Sequence, residues 1–343
     1  MKTKLLVLFS AVLTSVSALA QSGGNYVVPR TEWGQPDLQG VWNFVSSTPF
    51  ERPARFGTRE FLTAEEIAES RVRAAERAAA ADAAEAELVV DPEAPPAGAE
   101  STGGYNNFWY ETASIGDNVR TSLLVYPPDG RLPARVEGSA VHTANLGPDV
   151  EGERPVLAVF GGIGKTGPED RGLSERCLIG YNAGPPFNGG GYNANVQIFQ
   201  NKNNVVVLTE MVHDARIIPL DDLGPLDDDI RFWTGASRGY WDGDTLVVTT
   251  RNFSHLVPSF SRYGNAENKT LTERFTRVSY DTIDYEWTLE DPSTFTDKFT
   301  AIMPLTKVAG QLYEYGCHEG NYGMTNILRG ARMEEQLASG SEN

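Results

Sequence analysis

The stretch LTERFTRVSYDTIDYEWTLEDP, residues 271–292, decides the fold class. Its arms ERFTRVSY and IDYEWTLE alternate polar and apolar side chains about a turn at Asp281 and Thr282, the period-two mark of a half-buried hairpin. Other stretches repeat the theme. YWDGDTLVVTTRNF (240–253) sets Asp-Gly between β-prone flanks, and NVQIFQNKNNVVVLTEMVHDARIIPL (195–220) holds two strand-like runs about the polar break Asn201–Asn204. RTSLLVYPPDGR (120–131) is an apolar run closed by a Pro-Pro-Asp-Gly turn. The pattern predicts a mainly β protein: an antiparallel curled sheet or lipocalin-like barrel with one inserted surface helix and long loops.

The helix is TAEEIAESRVRAAERAAAADAAEAEL, read over 63–87. Thr63 and Glu66 fit a capping box, Leu62 and Ile67 a hydrophobic staple, and large apolar residues are sparse, so it should lie on the surface. The Pro/Gly-rich DPEAPPAGAESTGG (91–104) reads as a linker, giving a helical and linker insertion over 63–104 within a single domain of residues 21–343.

The chain opens MKTKLLVLFSAVLTSVSALAQS, with two lysines, an apolar run and small residues at Ala18 and Ala20, the layout of a signal peptide cleaved after Ala20. Export to the periplasm or the medium is expected, without membrane insertion, since no later run is long and apolar enough to span a bilayer. The formal net charge is −17, a field that repels nucleic acid and anionic membranes. The expected partner is a small-molecule substrate or ligand, and no oligomeric state is indicated. In an oxidising compartment the two cysteines, Cys177 and Cys317, should pair.

Gly40-Val41-Trp42 opens the first strand with a Gly-x-Trp that resembles the entry strand of lipocalin-type barrels. The ordered set TEWGQPDLQGVW, RTSLLVYPPDGR, PEDRGLSERC, EMVHDARIIPL, SRGYWDGDTLVVTTRNF, ERFTRV and YGCHEGNYGMTNILRGAR is similar to a widespread group of exported bacterial proteins of unassigned function. That resemblance implies an exported β-rich protein and carries no catalytic residue with it.

Candidate chemistry starts at TEMVHDARIIPLDD (209–222). If 205–218 is extended, Glu210, Asp214 and Arg216 share one face, and Met211, His213, Ala215 and Ile217 the other. His213 would then look into the barrel among apolar neighbours, where an imidazole needs a polar partner or a ligand. Asp214 and Arg216 would form an ion pair on the opposite face. A second concentration, YEYGCHEGNYGMTN (313–326), reads as an ordered loop anchored by Cys317, offering His318, Glu319, Asn321 and Tyr322 to a pocket. GGYNNFWYE (103–111) adds Asn106 and Trp109 as substrate-binding candidates, and GPPFNGGGYNANVQIF (184–199) has the same ring-stacking composition.

Three functions follow. The first is a lyase that abstracts a proton from an oxygenated small molecule such as a sugar acid, with His213 as base or acid, Tyr315 or Tyr322 as proton partner, and Arg120 or Arg216 stabilising the developing anion. The second is a non-catalytic lipocalin-like binder of a hydrophobic or aromatic ligand. The third is a metal-dependent hydrolase using His213, His318 and Glu319, although no HExxH or CxxC spacing supports it. No cofactor is expected: in FGGIGKTGPEDR (160–171) Val159 stands where a phosphate-binding loop needs glycine, and no GxSxG elbow occurs.

Overall fold

Ten antiparallel strands follow one another round the sheet almost in chain order. They are β1 (Gly40–Asn43), β2 (Leu124–Tyr126), β3 (Asn195–Gln200), β4 (Asn204–Thr209), β5 (Ala215–Pro219), β6 (Ala236–Asp242), β7 (Thr245–Arg251), β8 (Thr270–Arg277), β9 (Thr282–Glu290) and β10 (Phe299–Lys307), with helices α1 (Ala64–Glu87) and α2 (Tyr322–Gly340). A computed structural model of the chain describes residues 26–87, 111–113, 115–116, 119–142, 164–187, 189–221, 224 and 226–340. The expected linker at 91–104, the signal peptide, and the candidates Asn106 and Trp109 lie outside the described residues.

The hydrogen-bonded order is β5-β4-β3-β1-β10-β9-β8-β7-β6, with β2 on β10 beside this path. β1 and β2 pair with different halves of β10: Trp42 faces Lys307, while Tyr126 faces Thr300. Apart from β2, each strand neighbours its predecessor in the chain, and the first strand closes on the last. Nine strands cannot alternate direction all the way round a circle. One neighbouring pair must run parallel, and it is β5 and β6, which lie against each other without a ladder among the described residues. Gly239 of β6 allows this approach, because a Cβ there would come within 2.8 Å of Ile218 Cγ2 and 3.1 Å of Leu220 Cδ2. The result is a nearly closed barrel.

The hairpins fall where alternation and turn residues put them: β6/β7 across Gly243-Asp244, β8/β9 across 278–281, β3/β4 across 201–203. Helix α1 begins as its cap requires. Glu66 N donates to Thr63 Oγ1 at 3.3 Å and Thr63 N to Glu66 Oε2 at 2.8 Å, and Ile67 is buried while most other described side chains of α1 are exposed. Helix α2 is a finding the sequence reading missed. Asn321 caps it, its Oδ1 accepting from Met324 N at 3.3 Å. No helix among the described residues is long and apolar enough to cross a membrane.

The barrel core is aromatic: Trp42, Phe44, Phe275, Tyr285, Trp287, Phe295 and Phe299 are all buried. A loop fills part of the lumen. Phe187 enters at the end of 184–187, stacks 5.0 Å from Phe44 and lies 5.0 Å from the Tyr285 ring. Along β8 the inward row is Lys269, Leu271, Glu273, Phe275, Arg277, so three charged residues alternate with large apolar ones inside the barrel. At one end of this row Arg277 lies 5.5 Å above the Trp42 indole and donates to Asp37 O at 2.8 Å, closing that end.

Candidate functional site

Residues 205–218 are a hairpin and not one strand, which corrects the expectation for His213. Chain direction reverses at 211–213, a short 3-10 turn in which Val212 and His213 take positive φ values of 65° and 46°. The reversal resets the alternation. Val205, Val207 and Thr209 face inward on β4, whereas on β5 the inward residues are Arg216 and Ile218. His213 is therefore exposed on the outside, its Nδ1 3.3 Å from Tyr315 O, and Arg216 points into the core.

Arg216 also finds a different partner from the one expected. It forks onto Glu273, with Nη1 to Oε2 at 2.5 Å and Nη2 to Oε1 at 2.9 Å, rather than pairing with Asp214 on an outer face. Tyr285 Oη donates to Glu273 Oε1 at 2.8 Å. Burial, with the Glu273 carboxylate beside it, pushes the Tyr285 phenol well above its ordinary value, so it stays protonated as a donor. Burial also raises the Asp214 carboxyl, against the pull of nearby Arg216.

The C-terminal candidates form a clasp. Cys177 and Cys317 are bridged, with Cα atoms 5.8 Å apart, as expected. The bridge packs with Met211, Val212, Tyr192 and Tyr315, so the 211–213 turn rests on the disulfide. Asn321 Nδ2 donates to Glu175 O at 2.8 Å, and His318, Glu319 and Tyr322 are exposed. Among the described residues no group of three or more His, Cys, Asp or Glu side chains is placed to hold a metal ion, so His213, His318 and Glu319 do not form one. Arg120 is elsewhere again. It stacks 4.7 Å over Phe61 and lines a cavity of about 500 Å³ between α1 and the barrel, with Arg55, Arg73 and Arg77.

The larger cavity, about 770 Å³, opens at the barrel end opposite Arg277 and Trp42. Trp287, Ala301 and Met303 reach it from the barrel wall; Phe50 and Leu123, Ile179–Tyr181, 184–187 with 189–190, and Trp233, Phe253 and 257–262 surround it. This is the volume of a drug-sized ligand site, with the usual apolar lining. The 184–187 and 189–190 parts of the ring-stacking stretch therefore lie on the cavity, while His213, Tyr315, Tyr322, Arg120, Arg216, His318, Glu319 and Asn321 do not.

Its polar groups went unnoticed in the sequence. Lys269 is 7 % exposed, donates from Nζ to Ser259 O at 3.2 Å, and holds its ammonium 4.0 Å from the Phe253 ring centroid. Burial lowers this ammonium from 10.5 to about 8, with Asp291 and Glu273 pulling the other way. Ser259 Oγ is buried with no hydrogen-bond partner among the described residues. His142 sets Nε2 2.7 Å from Gly264 O, so that nitrogen carries the hydrogen. The available signal was parity: Lys269 shares its strand face with Leu271 and Phe275. Compared with known proteins, the chain matches no protein-family model and no curated protein.

Proposed function

We propose that the chain is an exported small-molecule binding protein whose site is the aromatic cavity at the open end of the barrel. The observation that carries this reading is the cavity itself: about 770 Å³ walled by Phe50, Trp233, Phe253, Phe260 and Trp287, contributed by segments far apart in sequence. Such a chamber takes up flat or chain-like apolar ligands by removing both surfaces from water. A binding role uses what the cavity holds. Elimination centred on His213 would place the substrate on the outer surface, where water competes for every polar contact and no low-dielectric wall assists.

The test is titration of the full chain with the neutral fluorophore N-phenyl-1-naphthylamine, following probe emission and the fluorescence of Trp233 and Trp287. Saturable binding at one site per chain is expected, together with a rise in unfolding temperature that grows with ligand concentration. Thr48→Trp, which fills the cavity from its wall, should abolish both. Binding that survives this substitution unchanged would place the ligand elsewhere and sink the reading.

A further inference from the structure

Lys269 is a buried cation without a counter-ion at contact distance among the described residues. An ammonium has three donors, and here one is used by Ser259 O, while the Phe253 ring faces the charge. Two carboxylates are near enough to act on it electrostatically, Asp291 and Glu273. Both are already engaged. Asp291 accepts from Ser293 N at 3.0 Å, Ser293 Oγ at 2.5 Å and Thr294 Oγ1 at 2.7 Å, and Glu273 accepts from both Arg216 nitrogens and from Tyr285. Beside Lys269 on the same cavity wall, Ser259 carries the unpartnered hydroxyl. A charge withdrawn from water and only partly repaired by its surroundings is costly, and folds retain one mainly where something else completes it.

We propose that Lys269 makes this cavity selective for ligands that carry a carboxylate on an aromatic or aliphatic body, the acid group supplying the counter-charge that no described residue provides at contact distance. This rests on the binding reading above and narrows it to a ligand class. The apolar walls hold the body of the ligand, and the ammonium holds its head. A charge-assisted hydrogen bond in a dry site discriminates strongly against a neutral head group of the same shape, because the amide leaves the ammonium uncompensated. Arg262, exposed at the cavity rim, is the competing cation, but its hydration makes it a weak selector.

The experiment is calorimetric titration of the full, disulfide-bonded chain at pH 7 with benzoate, 2-naphthoate and decanoate, each beside its primary amide. The expected result is that the best-bound acid exceeds its amide by roughly 10- to 100-fold in affinity. Lys269→Met should erase that preference, bringing the affinities of acid and amide together, and Arg262→Gln should leave the preference intact. Lys269→Gln replaces Lys269→Met if the latter does not fold, and the wild-type comparison needs neither. Equal binding of acid and amide by the wild type, or a preference that survives Lys269→Met or vanishes in Arg262→Gln, overturns the selectivity while leaving the binding site standing. Failure of all the acids, all the amides and N-phenyl-1-naphthylamine to bind overturns both.

Discussion

Arg216 on β5 and Glu273 on β8 meet inside the barrel in a two-point ion pair, with Glu273 fully buried. β5 is also the strand that lacks a ladder to its neighbour β6. The pair therefore does across the lumen what hydrogen bonds do elsewhere along the sheet: it ties the seam strand to the opposite wall. Glu273→Gln should destabilise the protein by about 3–5 kcal/mol, because it strands the Arg216 guanidinium without a counter-charge. Replacing both together, Arg216→Met with Glu273→Leu, should recover much of that loss. Urea unfolding measures the stabilities; hydrogen exchange should show β5 and β6 opening first in the single variant. A double variant as unstable as the single one would mean that the pair itself, and not the stranded charge, holds the seam.

The buried ammonium of Lys269 gives stability a signed dependence on pH. Its folded value is about 8 against 10.5 when free, so between these limits the unfolded chain holds a proton that the folded chain has released. Unfolding takes up that proton, and stability contributed by this site rises with pH across the window, by on the order of 3 kcal/mol, levelling off on either side. In Lys269→Met the rise should be missing. Comparing the two proteins by urea unfolding from pH 7.5 to 10.5 isolates the contribution, and parallel curves would show that the ammonium is not held down by burial.

Breaking the Cys177–Cys317 bridge should release the clasp and spare the barrel. Among the described residues after Lys307 no strand is added to the sheet, although Val308 N donates to Val41 O at 2.9 Å, and the clasp's other ties include Asn321 to Glu175 O and Arg332 to Lys165 O. The paired substitution of both cysteines by serine should cost about 2–4 kcal/mol. Trypsin should then cut rapidly after Arg329 and Arg332 while fragments containing β3–β10 persist. Simultaneous loss of the barrel would make the clasp part of its core.

His213→Asn should change little. Asparagine accepts the left-handed conformation this position takes, and the side chain lines neither of the two cavities described here. Ligand affinity should hold within twofold and stability within about 0.5 kcal/mol. A protein that binds normally but loses turnover on an oxygenated substrate would restore the elimination reading.

Removing 64–100 and joining the ends should leave cooperative unfolding intact, since Ile67 is the buried contact that α1 makes among its described side chains. A broad, non-cooperative transition would assign the helix to the folding core.

What could be read from the sequence was local and periodic. Asp242-Gly243 marked one hairpin, the alternation through 271–290 marked another, and Thr63 with Glu66 marked the start of α1. The turn at 211–213 escaped because neither Val212 nor His213 is a residue that signals positive φ, so the strand was read straight through and His213 was assigned the wrong face. Helix α2 escaped because Gly323 and Gly330 dilute its propensity. The cavity escaped for a different reason. Its walls come from within 46–50, 173–187, 189–190, 233–234 and 253–269, and no period in one segment announces that others will converge on it.

The closure of β1 onto β10 sets an order of assembly. Trp42 pairs with Lys307, so a chain made from its N-terminus must carry β1 through the synthesis of more than two hundred residues before its second partner exists. The hairpins β6 to β10 can zip locally and early; β1 joins last, over the longest loop in the sheet. Until then Trp42, destined for the barrel core, and Val41, buried on the opposite face of the strand, remain one-sided and sticky. The return of the first strand is thus the longest closure the chain must make, and the expected slow step of folding is the one that seals the barrel rather than any that builds its hairpins.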